Sequence, residues 1–413
     1  MTAIAAGRTA RAGFGLVIPL MALALFINYV DRGNLATAAP FIKDELKLDA
    51  TQLGLLISAF SWTYVAAMPF AGWLAERVGA YRVLAVGLAI WSLATFLTGF
   101  AGGFAAILML RMALGIGESA AFPCSSKLIA QNVPHHKLGA ANAVIAQGLS
   151  LGPAFGVFFG GLLMGDFGWR KVFLVFGALS LTWLIPWYFA TRHHAAAARA
   201  EPEAGEAPSF RAILAKRELW GIALGHLAGN YGFYFVISWL PLYLVKVRGF
   251  SVKEMATIGG VVYLIYAAAG AIGGLLTDRW IAAGATQGQA RKTIAVVAHL
   301  TGAVGLMIAA FGDRSMSLAG LMITGAGFGL VGPHTFATAQ VLAGPRAAGK
   351  WVGVQNCIGN LSGIVGPIVT GIIIDRTGGY EGAFVLTAAI AVLGLGGWLL
   401  LIPKIAPLDW KQA

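Results

Sequence analysis

Long apolar runs separated by short polar turns dominate the chain. They fall near 14–39, 51–75, 82–103, 105–130, 138–163 and 168–190, and then near 218–244, 254–278, 291–312, 316–342, 350–374 and 381–403. A helix crosses the hydrocarbon core of a bilayer with about 20 apolar residues, so each run predicts one crossing. Six runs, a polar break and six more predict an all-α membrane protein of twelve transmembrane helices. The break, Thr191 to Lys216, holds His193, His194, an alanine run and a stretch rich in Glu and Pro from Glu201 to Pro208. It reads as a flexible linker with at most a surface helix. The expected organisation is an N-terminal six-helix bundle over 1–190, a linker over 191–217 and a C-terminal six-helix bundle over 218–413.

The two halves echo each other. An offset of 214 residues carries Gly139, Asn142, Gly152 and Pro153 onto Gly353, Asn356, Gly366 and Pro367, in the fifth helix of each half. A second echo lies between helices two and three, where Gly72, Glu76 and Arg77 match Gly274, Asp278 and Arg279. Parallel repeats of this kind build pseudo-symmetric transporters whose substrate site is expected near the midplane, between the halves.

Composition supports the membrane reading. Of 413 residues, 58% are hydrophobic and only 11% charged, against about 25% charged in a soluble domain. A soluble enzyme, a secreted disulfide scaffold and a disordered chain are thereby excluded. The net charge of +12 raises nucleic acid as a partner, but the basic residues favour one set of connections and both termini by roughly two to one, the positive-inside bias. Both termini and the linker are therefore expected in the cytoplasm, with no nucleic-acid partner. Arg8 and Arg11 resemble the start of a signal peptide. The run behind them meets Asp31 and Arg32 rather than a small-residue cleavage site, so it reads as the first spanning helix. Cys124 and Cys357 suggest neither a staple nor a metal site.

Four charges stand out inside the spans: Asp31, Arg32, Arg111 and Glu118. A charge at mid-helix depth costs roughly 2.5–3.5 kcal/mol on insertion scales, so such residues face a wet cavity or a partner. Arg111 and Glu118, seven apart, lie two turns apart on one helix face. Arg32 and Arg111 read as the only basic residues within the spans. Arginine holds a carboxylate through a planar fork, and buried carboxyls exchange protons, so the set suits an anion–proton machine; purely structural ion pairs are the competing reading. From its adjacency in sequence, Asp31 is expected to position Arg32. Tyr29, Tyr64 and Gln147 offer polar groups to the same cavity, with packing as the alternative. In the second half Asn356 and Asn360 lie one turn apart, and His334 follows Gly332 and Pro333; interhelical contact competes with substrate contact for each.

These residues carry a family likeness. Gly72, Glu76, Arg77, Gly79 and Arg82 resemble the cytoplasmic loop motif of the major facilitator superfamily, with Glu76 in place of the usual aspartate. Asn28 through Arg32, and Arg111 through Pro123, are similar to the anion:cation symporter family, which includes bacterial sugar-acid permeases and is related to sialic-acid and vesicular glutamate transporters. The resemblance implies proton-coupled uptake of a small organic anion by a monomer in the bacterial inner membrane. It implies no cofactor other than the proton as coupling ion. Asp31 and Glu118 would be the protonation sites, and Arg32 and Arg111 would handle the substrate carboxylate or hold the acids. Asn356 and Asn360 resemble the family's asparagine-bearing stretch. Glu76, Arg77, Arg82, Asp278 and Arg279, at cytoplasmic helix ends, are expected to act in gating, an acid pairing with an arginine or a helix terminus.

Two other functions compete. Gly139, Gly148, Gly152, Pro153 and Gly156 nearly reproduce a glycine–proline pattern associated with drug antiporters, with Val157 breaking its last position, so export is one alternative. Uptake of an aromatic carboxylate is another, although the Asp-Gly-x-Asp pattern of aromatic-acid symporters is replaced by Asp31, Arg32, Gly33 and Asn34. A membrane enzyme lacks its motifs here, and a sensor lacks a sizeable soluble domain. Reporter fusions are expected to place both termini and the 191–216 linker on the cytoplasmic side; an external terminus would overturn the helix count.

Overall fold

A computed structural model describes residues 2–48, 50–200 and 207–410. The described residues contain helices and no strand. In chain order the helices are α1 (Thr2–Glu45), α2 (Ala50–Leu74), α3 (Ala80–Thr98), α4 (Phe104–Glu118), α5 (Ala121–Asn132), α6 (Leu138–Phe167), α7 (Trp169–Thr182) and α8 (Leu184–Ala200). There follow α9 (Phe210–Leu214), α10 (Arg217–Lys246), α11 (Val252–Ala282), α12 (Gln287–Phe311), α13 (Arg314–Ala343), α14 (Ala348–Thr377) and α15 (Glu381–Gly396). Among the described residues ten stretches are long and apolar enough to cross a membrane; one of them, Leu55–Thr98, holds both α2 and α3. With α10, a helix of 30 residues, the crossings among the described residues number twelve, because α4 and α5 form one broken crossing, and α7 and α8 another. Proline explains both breaks. Pro123 and Pro186 lack a donor, and their rings collide with the carbonyls of Ser119 and Thr182 four residues earlier.

The expected linker is more helical than its composition suggested. α8 runs on through the alanine run to Ala200, since alanine is the strongest helix former. Ser209 caps α9, its hydroxyl accepting from the Ala212 amide. Residues 201–206, the acidic, proline-bearing part of the linker, lie outside the described residues.

The chain forms two compact units. The first comprises 1–132, 147–207 and 345–354; the second comprises 133–146, 208–344 and 355–413. In the first unit, glycines seat α6 on α1 at four-residue intervals. A Cβ on Gly148, Gly152 or Gly156 would lie 2.6 Å from the Ala22 carbonyl oxygen, the Tyr29 Cβ or the Val30 carbonyl oxygen, and on Gly160 it would lie 2.5 Å from Asn34 Oδ1. Backbones this close replace the hydrophobic drive that lipid cannot supply. The glycines of the antiporter-like pattern at 148, 152 and 156 thus have a packing role in this unit. At one end of the unit, Trp169 Nε1 (2.6 Å) and Arg170 Nε (3.0 Å) donate to Glu45, while Arg170 Nη1 donates to the Ala101 carbonyl (2.7 Å). The indole first and the guanidinium second hold the Glu45 carboxyl below its ordinary range.

In the second unit, aromatic rings of α10 pack against glycines of α14. The ring of His226 sits against Gly359 and that of Tyr234 against Gly363. Asn142 and Gln340 form a reciprocal amide pair: Asn142 Nδ2 donates to Gln340 Oε1 (2.8 Å), and Gln340 Nε2 donates to Asn142 Oδ1 (3.1 Å). The C-terminal segment closes the end of α13, with Leu408 N donating to the Leu342 carbonyl and Trp410 Nε1 to that of Ala343, both at 3.0 Å. These are carbonyls that a helix end leaves without intrahelical partners. Large apolar side chains such as Phe70, Phe158, Leu393 and Leu400 point outward, as a lipid-facing surface requires.

Gly152→Val is expected to destabilise the protein by about 1–3 kcal/mol through overpacking, read as a lower Tm in detergent. Gly102→Ala, with no atom within 4 Å of its new Cβ, should melt as the wild type does. Equal melting of both variants would rule out the close α1–α6 approach.

Candidate functional site

Two glycines fix the position of α4. A Cβ on Gly115 would lie 2.5 Å from the Phe60 carbonyl oxygen of α2, and one on Gly117 would lie 2.7 Å from the Gly87 carbonyl oxygen of α3. Thr63 Oγ1 donates to the Met112 carbonyl at 2.8 Å and fastens the same approach. α4 is thereby wedged against both helices, with Arg111 and Glu118 two turns apart. Glu118 is the last residue of α4, just ahead of the proline-induced break.

The N-terminal unit brings together Tyr29, Asp31, Arg32, Tyr64, Arg111 and Glu118. Arg32 Nε donates to Glu118 Oε2 at 2.9 Å, and the Glu118 side chain is wholly buried. Three rings surround the Arg32 guanidinium carbon, with centroids at 4.4 Å (Tyr29), 4.7 Å (Phe60) and 4.5 Å (Tyr64). Arg111 is buried, and its guanidinium carbon lies 5.2 Å from the Phe60 centroid. Among the described residues it has no hydrogen-bond or ion-pair partner, and its Nε is a buried donor with none. Asp31 is buried with Thr95, Glu118 and Arg111 as its electrostatic neighbours, and Asn28 lies beside Glu118.

The expected pairing of Asp31 with Arg32 is corrected by this geometry. Successive helical residues point about 100° apart and do not face each other. Arg32 therefore turns to α4 and meets Glu118, while Asp31 lies on the side of Thr95 and Arg111. The expectation that Arg32 and Arg111 are the only basic residues within the spans is also corrected. Lys127 and Arg291 are buried and lie inside the apolar stretches Phe104–Asn132 and Gln287–Phe311.

Both missed residues serve the loop acids. In the N-terminal unit Glu76 pairs with Lys127 Nζ, which also donates to the Pro345 carbonyl (2.9 Å), and Glu76 Oε1 accepts from the Gly349 amide at the start of α14 (2.8 Å). In the second unit Asp278 accepts from the amides of Gly139 (3.0 Å) and Ala140 (2.6 Å) at the start of α6, with Arg291 Nη2 4.0 Å away. Each acid thus caps a helix N-terminus, where backbone donors and the helix dipole favour a negative charge. Arg77, Arg82 and Arg279 are exposed, Arg77 lying over the Trp73 ring at 5.3 Å. A lysine or arginine near the end of an apolar run reads as an interfacial residue, so nothing in the pattern singled out Lys127 or Arg291.

In the second unit Asn360 Nδ2 donates to Asn356 Oδ1 (3.0 Å), and Tyr234 OH donates to Asn360 Oδ1 (3.0 Å). Asn230 Nδ2 donates to the Gly359 carbonyl (3.3 Å), and Gln355 lies 3.4 Å from His226 Nδ1. Tyr234 and Asn230 were not singled out from sequence; their spacing of four along α10 is the signal that could have found them. His334 is buried, and neither ring nitrogen has a hydrogen-bond partner among the described residues. His299, by contrast, lies against the carbonyls of Ala295 (2.8 Å) and Gly225 (3.3 Å). Gln147 is half-buried in the first unit.

Comparison with known proteins agrees with the helical architecture. A hexuronate transporter of Bacillus subtilis is 31% identical over 96% of this chain and 96% of its own length. A probable sulfoacetate transporter of Cupriavidus necator is 30% identical, over 92% and 91% respectively. The solved structure of a proton:xylose symporter bound to 6-bromo-6-deoxy-D-glucose superposes with a TM-score of 0.74 at 14% identity, covering 97% of each chain. The family profile described as Major Facilitator Superfamily matches residues 21–367. Twelve apolar crossings, the repeated loop acid and these similarities converge: the chain belongs to the Major Facilitator Superfamily and is a multi-pass membrane transporter, not an enzyme.

Proposed function

We propose that the protein takes up a small organic anion, a sugar acid or a related hydroxy carboxylate, by proton-coupled symport across a bacterial inner membrane with both termini cytoplasmic. The observation that carries the reading is the division between the two arginines. Arg32 is held by Glu118, whereas buried Arg111 has no hydrogen-bond or ion-pair partner among the described residues. A buried guanidinium in that state costs free energy unless an anion completes it. Arg111 is therefore assigned the substrate carboxylate through its planar fork, and Arg32 the proton-linked acid. Relatives are named as a hexuronate transporter and a probable sulfoacetate transporter, and both names denote carboxylate anions.

Coupling follows from the same pair. With Glu118 ionised, Arg32 is committed to it. A proton on Glu118 removes the charge that holds Arg32, and the guanidinium can turn its electrostatic field towards an anion on Arg111. Proton and anion then bind together more favourably than either alone, which alternating access with symport requires. Asp31, on the Arg111 side, is the second proton site. Asn356, Asn360 and His334 are assigned to substrate hydroxyls, with Tyr29, Tyr64 and Gln147 in support. Glu76 and Asp278, as helix caps, bias the conformational balance without touching substrate, with Arg77, Arg82 and Arg279 at the same cytoplasmic face.

Binding to a panel of sulfoacetate, hexuronates and hydroxy diacids, followed by thermal shift of the purified protein, tests the substrate class. Arg111→Lys keeps the charge and loses the fork; it is expected to weaken binding of the best panel acid about tenfold or more. Wild-type affinity in that variant would place the carboxylate elsewhere.

Glu118→Gln imitates the protonated acid. In proteoliposomes it is expected to retain counterflow exchange and to lose accumulation driven by an inward proton gradient. Concentrative uptake by this variant would remove Glu118 from the coupling step.

A further inference from the structure

Phe60 is the one ring that both guanidiniums share among the cation–ring contacts of the described residues. Its centroid lies 4.7 Å from the Arg32 guanidinium carbon and 5.2 Å from that of Arg111. The ring is buried and stacks on Tyr64 with centroids 4.9 Å apart and planes 23° from parallel. Tyr64 and Tyr29 contact Arg32, so Arg32 has three rings and an ion-pair partner. Arg111 has Phe60 and, among the described residues, no hydrogen bond or ion pair.

Two guanidiniums drawn to one site repel each other, most strongly in a water-poor interior. An aromatic face carries negative quadrupole density and attracts a cation within about 6 Å of its centroid. It does so without occupying the N–H donors in the guanidinium plane, which stay available for a carboxylate. An acid in the same place would form an ion pair with Arg111 and compete with the substrate. The backbone supports this placement, because Gly115 packs against the Phe60 carbonyl and Thr63 bonds Met112, setting α4 against the turn of α2 that carries the ring.

We propose that Phe60 is a positioning residue for anion binding, its ring steadying Arg111 for the substrate carboxylate while also contacting Arg32. The proposal rests on the reading that Arg111 receives the carboxylate. It separates a ring that tunes affinity from one that merely fills space, because only the first depends on ring electrons.

The experiment measures Kd for the panel acid that most raises the wild-type Tm, in Phe60→Leu, Phe60→Tyr and a protein carrying a ring-fluorinated phenylalanine at position 60, beside Arg111→Lys. Phe60→Leu is expected to weaken binding about tenfold, and Phe60→Tyr to bind within about twofold of wild type. The fluorinated ring keeps shape and weakens the negative face, so it should fall between them; it also decides the matter if Phe60→Leu does not fold. Wild-type affinity in the fluorinated protein overturns the proposal, since the ring then acts by bulk alone. Loss of binding in Arg111→Lys with no change in the fluorinated protein would retain the Arg111 assignment and reject the role of Phe60. Unchanged binding in Arg111→Lys would reject the assignment beneath both.

Discussion

A guanidinium or a carboxylate taken out of water loses, by rough estimate, several kcal/mol of solvation, and the N-terminal unit buries Asp31, Arg111 and Glu118 with Arg32 close by. Two acids and two bases balance when all are ionised, so the group as a whole is neutral although its members are not. That balance constrains everything nearby. Rings of α1 and α2 contact the guanidiniums, glycines draw α4 inward, and a proline breaks the fourth crossing just beyond Glu118. Adding a proton or an anion changes the balance by one unit, and one can offset the other. A transporter that couples the two needs such a group.

Glycine is the second organising element, and its use differs between the units. On α6 it lets backbone meet backbone along α1. On α4 it admits α2 on one side and α3 on the other. On α14 it makes room for the rings of His226 and Tyr234, which bring Asn230 and Asn360 into a polar seam. In the glycine–proline pattern likened to drug antiporters, Gly148, Gly152 and Gly156 are a packing surface for α1, whichever direction the substrate moves.

Crossings, repeats and intramembrane charges were legible because hydrophobic length and the cost of buried charge act locally along the chain. The partners of those charges were not. Asp31 and Arg32 are neighbours in sequence and diverge in space, because the helix turns between them. Lys127 and Arg291 escaped because a base near a span end ordinarily reaches the interface; here each turns inward to an acid on another helix, Glu76 or Asp278. Phe60 lies in an apolar run where one aromatic residue looks like any other, and only the approach of α1 and α4 gives its ring two cations. The alanine run that ends α8 carried no helical apolar period to reveal it, yet its intrinsic propensity extends the helix to Ala200.

The reciprocal pair of Asn142 and Gln340 has a consequence for how the sequence can drift. Each amide both gives and receives, so the two orientations are fixed together and neither amide can rotate without losing both bonds. Replacing one with an apolar residue removes both bonds between the two buried side chains at once. The two positions, one in each half of the chain, are therefore coupled in inheritance: the first substitution at either forfeits the whole pair, and a second at the other has no mutual bond left to lose.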